Sequence, residues 1–143
     1  VPVTEEARLG RLRLANQLAR DLVEKAGRWV RQQRALEAAD KLAEEGISVE
    51  VIDLRTLKPL DMETVAASVR KTGRVVGVTE AYKTGSFISE LATRIHEEVF
   101  DWLDAPVVRV TAADVPVPMS EPLEDACIPS VDRIIAGIRQ ALA

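Results

Sequence analysis

Three short apolar segments rich in β-branched residues recur in the chain after Gly46, separated by segments with helical spacing. They run from Ile47 to Leu54, from Arg74 to Thr79 and from Pro106 to Thr111, and we predict a β-strand for each. Strands that alternate with helices through short connections are typical of an α/β domain with a mainly parallel sheet. The sequence therefore predicts an α/β fold with a small sheet of three strands.

Capping residues mark the helices expected between and after these strands. Asp61 is placed to cap a helix from about Met62 to Lys71, which Gly73 ends. The turn 84–86 opens a second helix that reaches about Leu103, and a final helix covers residues 131–143. Residues 112–129 contain four prolines and are predicted to form an irregular surface crossing. The side chains expected to face the core are Val65, Val69, Ile88, Leu91, Ala92, Ile95, Val99, Trp102, Ile134, Ile135, Ile138 and Leu142.

The chain before residue 46 has a different pattern. Residues 9–45 contain no proline, and their apolar side chains recur mostly at steps of three and four, which predicts nearly continuous helix. Gly27 can divide this run into two helices, and Gly46 can end the second in the left-handed conformation. A helix of this length carries more apolar surface than a three-stranded sheet covers. We therefore expect a homo-oligomer, with Trp29 and Val30 as candidate contact residues.

Composition and charge exclude several classes of function. The chain has 143 residues, of which 47% are hydrophobic and 29% charged, as in a single folded domain. Its net charge of −4 argues against nucleic-acid binding, because phosphate recognition requires clustered positive charge. It contains no apolar run of membrane-spanning length, and its first residues do not have the pattern of a signal peptide. We therefore expect a cytoplasmic protein.

The sequence contains none of the common nucleotide-binding, zinc-binding or nucleophile motifs, such as GxGxxG, the Walker loop, CxxC, HExxH or GxSxG. Cys127 is the sole cysteine and is predicted to be a small apolar residue, at least partly buried. His96 is the sole histidine and is predicted to lie at the protein surface or its boundary. No metal site is expected at the acidic residues, because their spacing does not match a loop that binds hard cations. These acidic residues are Glu97, Glu98, Glu121, Glu124 and Asp125.

The segment EAYKTGSF, residues 80–87, follows the carboxyl end of the second predicted strand. Binding sites of open α/β sheets tend to lie at this edge. The alternative is an ordinary connection between a strand and a capped helix. The candidate partner-binding residues in this segment are Glu80, Tyr82, Thr84, Gly85 and Phe87.

Four segments, in order along the chain, carry a resemblance to a known family. They are ALEAADKLAEEGISVEVIDLRTLKPLD (35–61), SVRKTGRVVGVTEAYKTGSF (68–87), LDAPVVRVTAADVPVP (103–118) and IPSVDRIIAGI (128–138). Together they resemble the transketolase-type C-terminal domain of the β subunit of thiamine-diphosphate-dependent 2-oxo acid dehydrogenases. The resemblance implies a three-layer α/β/α sandwich over residues 35–143.

Two features depart from the family pattern. Thr84-Gly85-Ser86 stands where family members have Thr-Gly-Gly. The family domain usually opens with a β-strand before the ALEAA-type helix, whereas the corresponding part of this chain has helical spacing. Residues 1–34 are therefore predicted to form an atypical helical N-terminal segment.

The resemblance also implies a supporting function. In the family, a pyrimidine-binding domain and the α subunit hold thiamine diphosphate and magnesium, and this chain includes neither. We therefore expect no bound cofactor and no catalysis by this chain alone, but an assembly and docking domain of a 2-oxo acid dehydrogenase complex. The alternative is a free-standing or engineered oligomeric, helix-rich α/β module without an enzymatic role.

The partners implied by the resemblance are the α subunit and the subunit-binding domain of the dihydrolipoyl acyltransferase. The latter is a small basic helical domain, which acidic residues near the end of the chain would attract and an apolar neighbour would contact. The further candidate residues for this contact are Glu124, Asp125, Ile128 and Asp132.

Overall fold

The structure is a computed structural model that describes residues 30–143. Its helices and strands are α1 (Val30–Glu44), α2 (Met62–Thr72), β1 (Val76–Tyr82), α3 (Phe87–Val99), a 3-10 turn (Phe100–Trp102), β2 (Val108–Ala112), α4 (Glu121–Cys127) and α5 (Val131–Leu142). The chain divides between Asp53 and Leu54 into two compact units. No helix in the described range is long and apolar enough to cross a bilayer.

In the first unit, helix α1 confirms the predicted helix over the part of it that the structure describes. Its buried side chains, which include Leu36, Ala39 and Leu42, lie on the apolar face predicted from the sequence. The helix ends at Glu44, and Gly46, two residues later, has a φ of 81°, which is left-handed as predicted. The remaining N-terminal predictions, including the helix before residue 30 and the contacts of Trp29 and the Val30 side chain, lie outside the described residues.

The prediction of a strand from Ile47 to Leu54 is wrong. These residues follow α1 without regular secondary structure, and most of their apolar side chains are half-buried. The β-branched composition of the segment gives only a propensity, whereas a strand is stabilised by a hydrogen-bonded neighbour. Within the described residues the sheet has two strands, β1 and β2, and this segment pairs with neither.

The second unit contains the sheet, in which β1 and β2 run parallel. Val76 pairs with Val108 and Val78 with Val110, and after a shift in register Tyr82 pairs with Ala112. Two of the three predicted strands are therefore confirmed, each beginning two residues later than predicted. The α/β class with a small parallel sheet is confirmed with them.

Helices cover both faces of this sheet. Side chains of a strand alternate between its faces, and Gly77 of β1 faces Ile88 of α3, whereas Val110 of β2 faces Gly137 of α5. Both glycines permit a close approach, because a methyl group at either position would overlap the facing side chain. Helix α3, the sheet and helix α5 thus form three layers within this unit.

The main core lies between α2 and α3, which pack side by side. Asp61 begins α2 by accepting a hydrogen bond from the backbone N–H of Thr64 at 3.0 Å. Gly73 ends the helix with a left-handed φ of 68°, and both caps confirm the prediction. The buried side chains of the core are Met62, Val65, Ala66, Val69, Ile88, Leu91, Ile95 and Val99.

The structure corrects two of the predicted inward-facing residues. Trp102 is 55% exposed, because α3 ends at Val99 and the 3-10 turn takes the following residues off its apolar face. Leu142 is 42% exposed. Because α5 lies close to the sheet, small residues of this helix, Gly137 and Ala141, are buried together with Ile134. The other predicted inward residues of these helices, Ala92, Ile135 and Ile138, are half-buried.

The crossing between β2 and α5 is less irregular than predicted, because it contains α4. Ser120 precedes this helix, and its backbone C=O accepts hydrogen bonds from the N–H groups of Leu123 and Glu124. Pro122 stands in the first turn, where a proline costs no hydrogen bond. The prolines of the crossing therefore include one that favours a helix start.

Candidate functional site

The loops that follow β1 and β2 meet at the carboxyl edge of the sheet. We call residues 83–86, between β1 and α3, the β1 loop, and residues 113–116, directly after β2, the β2 loop. Parallel strands end at the same edge, so the two loops are neighbours although about thirty residues separate them in the sequence.

Asp114 connects the two loops. Its carboxylate accepts a hydrogen bond of 3.0 Å from the backbone N–H of Lys83 and one of 2.8 Å from the hydroxyl of Thr84. These hydrogen bonds, that from the Thr84 hydroxyl above all, lower the pKa of Asp114 below its ordinary value, because they stabilise the ionised carboxylate. Asp114 therefore acts as an ionised acceptor that fixes the β1 loop.

A second set of contacts joins the β1 loop to α3 and β2. The guanidinium of Arg109 on β2 donates a 2.6 Å hydrogen bond to the Ser89 hydroxyl. Ser89 in turn donates to the backbone C=O of Lys83 at 3.2 Å. The β1 loop is thus held at Lys83 and Thr84 by side chains from β2, the β2 loop and α3.

The two loops border an open depression of about 440 Å³. Tyr82, which is 39% exposed, lies on its wall, and Thr84 and Asp114 supply polar groups. Val115 and Pro116 complete the lining. An aromatic face beside hydrogen-bonding groups is suited to contact with another protein, whereas a small ligand is usually enclosed by a deeper cavity.

The structure brings some of the predicted site residues together at this edge. Tyr82 and Thr84 share the depression. Gly85 is exposed with a left-handed φ of 69°, as a tight turn requires, and Glu80 is exposed on β1. Phe87 instead packs against the core, so its side chain supports α3 from inside.

The acidic candidates lie on the crossing and the start of α5. Glu124 and Asp125 are exposed on α4, Asp132 is exposed in the first turn of α5, and Ile128 between the two helices is half-buried. Arg133 fixes this region, because its guanidinium donates to the backbone C=O of Thr111 at 2.7 Å. None of these four candidates, three acidic residues and Ile128, lines the depression at the ends of the strands.

Next to these acids the crossing exposes large apolar side chains. Met119 is fully exposed, and Val115, Val117 and Leu123 are each at least 45% exposed. Exposed apolar residues of this size beside polar ones are typical of protein–protein contact surfaces. Cys127 is half-buried and unpaired with another cysteine, and His96 is half-buried at the surface, as predicted for both.

The sequence interpretation missed Asp114, Arg109 and Ser89, which position the β1 loop. The signal that could have found Asp114 is its place just after a predicted strand, by the same rule that selected residues 80–87. Within residues 30–143 the acidic, histidine and cysteine side chains form no cluster able to hold a metal ion.

Comparisons with known proteins agree with this architecture. The family model described as "Transketolase, C-terminal domain" matches residues 14–134. The pyruvate dehydrogenase E1 component subunit beta-1, mitochondrial, of Arabidopsis thaliana is 48% identical over 107 residues, which are 75% of this chain and 30% of the relative. The human E1 component subunit beta is 48% identical over 108 residues, with the same shares of each chain. The chain thus spans about a third of the length of these relatives.

A solved structure shows the same fold. It is described as "Split gene transketolase, inactive beta4 tetramer", and it matches 77% of this chain and 34% of its own length with a TM-score of 0.65 and 35% sequence identity. The family match covers most of the chain. The chain therefore belongs to the transketolase C-terminal domain family, and it is similar to the part of the pyruvate dehydrogenase E1 β subunits with which it aligns.

Proposed function

We propose that the chain is an assembly and docking domain of the decarboxylating component of a 2-oxo acid dehydrogenase complex. The observation that carries this proposal is the 48% identity to pyruvate dehydrogenase β subunits over three quarters of the chain. Catalysis by the whole enzyme would need the α subunit and the pyrimidine-binding domain, which hold thiamine diphosphate and magnesium. The role proposed for this chain is to join subunits, without cofactor binding or catalysis of its own.

Two features of the second unit support a docking role. The crossing exposes apolar side chains, Leu123 among them, and the acidic residue Glu124, and Asp132 is exposed in the first turn of α5. Acidic groups accelerate the approach of a basic partner, whereas an apolar centre supplies most of the binding energy. A basic helical domain such as the subunit-binding domain of the dihydrolipoyl acyltransferase fits this combination.

Surface plasmon resonance of the full chain against that subunit-binding domain tests the proposal. We expect binding that weakens as salt rises, because exposed charges are screened over about 10 Å at 0.1 M ionic strength. The double variant Glu124→Ala with Asp132→Ala should bind several-fold more weakly. Absence of binding at low salt would refute the docking role.

A control variant separates a local contact from general attraction to an acidic protein. Glu63→Ala with Glu90→Ala removes the same charge from exposed positions in the first turns of α2 and α3. If this variant weakens binding as much as Glu124→Ala with Asp132→Ala, then Glu124 and Asp132 do not belong to the docking site.

The cofactor expectation has its own measurement. Isothermal titration calorimetry of the chain with thiamine diphosphate and magnesium should give no binding. Micromolar affinity would contradict the proposal that both cofactor sites lie in other parts of the enzyme.

We further propose that the chain self-associates, since the structural relative is described as a β4 tetramer. Light scattering at tens of micromolar should give a mass above that of one chain. A stable monomer at that concentration would contradict this part of the proposal and leave the docking experiment unaffected.

A further inference from the structure

Met119 is the most exposed large apolar residue in the part of the chain that the structure describes. Its relative exposure is 102%, and it lies midway along the crossing between β2 and α5. Methionine is more often buried, because its flexible side chain fills gaps in a protein core. Met119 fills no such gap, so its thioether sulfur is open to reagents dissolved in water.

The crossing that carries Met119 is fixed at both of its ends. The backbone N–H of Ala113, directly after β2, donates a 3.1 Å hydrogen bond to the C=O of Cys127, the last residue of α4. The Arg133 guanidinium donates to the same C=O at 3.4 Å. Residues 113–127 thus form a closed segment with Met119 near its middle. The exposure of Met119 therefore follows from the framework of the crossing.

Other apolar side chains are exposed close to Met119 along the chain. Val117 precedes it by two residues, Leu123 lies in the first turn of α4, and both are more than half exposed. We call Val117, Met119 and Leu123 together the apolar crossing. Its most exposed member is a thioether, which is the one side chain of the three that a mild oxidant converts into a polar group.

We propose that Met119 is a reversible oxidation site that sets the polarity of the apolar crossing. A hydroperoxide transfers one oxygen atom to the thioether sulfur. The sulfur is oxidised by two electrons to the sulfoxide, while the O–O bond breaks and hydrogen peroxide leaves as water. A methionine sulfoxide reductase restores the thioether, because two of its thiols are oxidised to a disulfide and the oxygen leaves as water. This inference does not depend on the function proposed above.

Oxidation at this position changes the surface without disturbing the core. The sulfoxide is polar and chiral, and it disrupts a core when the methionine is buried there. Met119 is fully exposed, so its sulfoxide stays in water and the fold loses no packing. The apolar crossing loses its most exposed apolar group. A partner that removes this surface from water gains less from hydrophobic contact with the sulfoxide than with the thioether.

Met62 provides a comparison within the same molecule. It is the other of the two methionines of the chain, and it begins α2 with 6% exposure in the main core. A hydroperoxide in water therefore reaches Met119 in the folded chain, whereas it reaches Met62 only when the core opens. The contrast between the two residues separates a site that is accessible in the fold from the general reactivity of methionine.

Treatment of the full folded chain with hydrogen peroxide, followed by peptide mass spectrometry, tests the site. We expect Met119 to gain one oxygen atom roughly tenfold faster than Met62, and the two methionine sulfoxide reductases, one for each epimer, to remove it. Residues 110–133 form one tryptic peptide that also contains Cys127, so fragment ions assign the oxygen to the correct sulfur. Equal rates in the folded chain, or a sulfoxide that the reductases leave unchanged, would overturn the proposal.

Retention on a phenyl column measures the polarity of the surface. The oxidised chain should elute earlier than the untreated chain and keep its melting temperature. Met119→Leu, which is apolar and has no sulfur, should keep its retention after peroxide treatment, whereas Met62→Leu, the matched control, should still elute earlier. Met119→Gln should elute early without oxidation. An equal shift by peroxide in Met119→Leu, or a lower melting temperature of the oxidised chain, would assign the effect to another residue or to the core and overturn the proposal.

Discussion

Gly77→Ala tests whether the close contact between the sheet and α3 limits the stability of the second unit. Gly77 is buried in β1, and a methyl group there would overlap the end of the Ile88 side chain and lie 2.6 Å from its Cγ1. Rotation about the outer bond of Ile88 moves its Cδ1 atom but leaves Cγ1 in place. The strand or the helix would therefore have to shift.

The magnitude follows from two opposing effects. Forcing an additional methyl group into a packed core costs about 1–3 kcal/mol. Alanine in place of glycine within a strand recovers about 0.5–1 kcal/mol of backbone entropy. We therefore expect Gly77→Ala to lower the free energy of unfolding by about 1–2 kcal/mol, as measured by urea denaturation followed by circular dichroism.

A double-mutant cycle with Ile88→Ala identifies the cause. Ile88→Ala alone should cost about 2–5 kcal/mol, because it removes buried methyl and methylene groups. In the double variant the overlap disappears, so its cost should fall short of the sum by about 1 kcal/mol or more. Gly85→Ala is the control, because the added Cβ would enter open space. The loss of unfolding free energy that it causes should add to that of Ile88→Ala. Additivity of Gly77→Ala and Ile88→Ala within about 0.5 kcal/mol would refute the steric explanation.

Three further substitutions test the contacts at helix and loop ends. Asp61→Ala should destabilise α2, whereas Asp61→Ser, which keeps a capping oxygen, should not. Because the hydrogen bonds from Thr64 lower the pKa of Asp61 below 3.8, the stabilisation of α2 by the ionised Asp61 holds above pH 3.8 and is lost as pH falls through the lower pKa of the folded state. Denaturation at several pH values measures this loss. Asp114→Ala should release the loop at Thr84, seen as faster amide exchange there, because it removes both carboxylate oxygens that accept hydrogen bonds from the loop. In the unsubstituted chain, acidification through the lowered Asp114 pKa should weaken the same contact. Arg133→Met should lower the free energy of unfolding by about 1–2 kcal/mol in urea, since it removes the hydrogen bond that holds the start of α5 to β2. Unchanged stability or exchange in any of the three would show that the contact contributes nothing measurable.

Local signals in the sequence predicted the features that depend on a few neighbouring residues. Asp61 and Gly73 mark the two ends of α2 through a side-chain oxygen and a left-handed glycine, and both act within the helix itself. The strands β1 and β2 were predicted from their apolar composition to within a few residues. Tyr82 and Thr84 of the candidate site followed from their position after a strand of a parallel sheet.

Features that depend on distant residues were not predictable in the same way. The segment from Ile47 to Leu54 has the composition of a strand, but whether it forms one depends on a neighbour elsewhere in the chain. Trp102 continues the spacing of the α3 face, yet the helix ends before it. Asp114 acts on Thr84 thirty residues away, so its role appears only when the two strands are side by side.

The position of α5 on the sheet has a consequence for the biosynthesis of the chain. Val108 and Val110 on β2 lie close to Gly137 of α5, whereas α3 covers the opposite face. Because a ribosome delivers the chain from its amino end, β1, α3 and β2 emerge before residues 131–142. Until those residues arrive, one valine-lined face of the sheet stays open to water and to other nascent chains. Exposed apolar faces of this kind favour aggregation, so this interval is the one in which a chaperone would protect the domain.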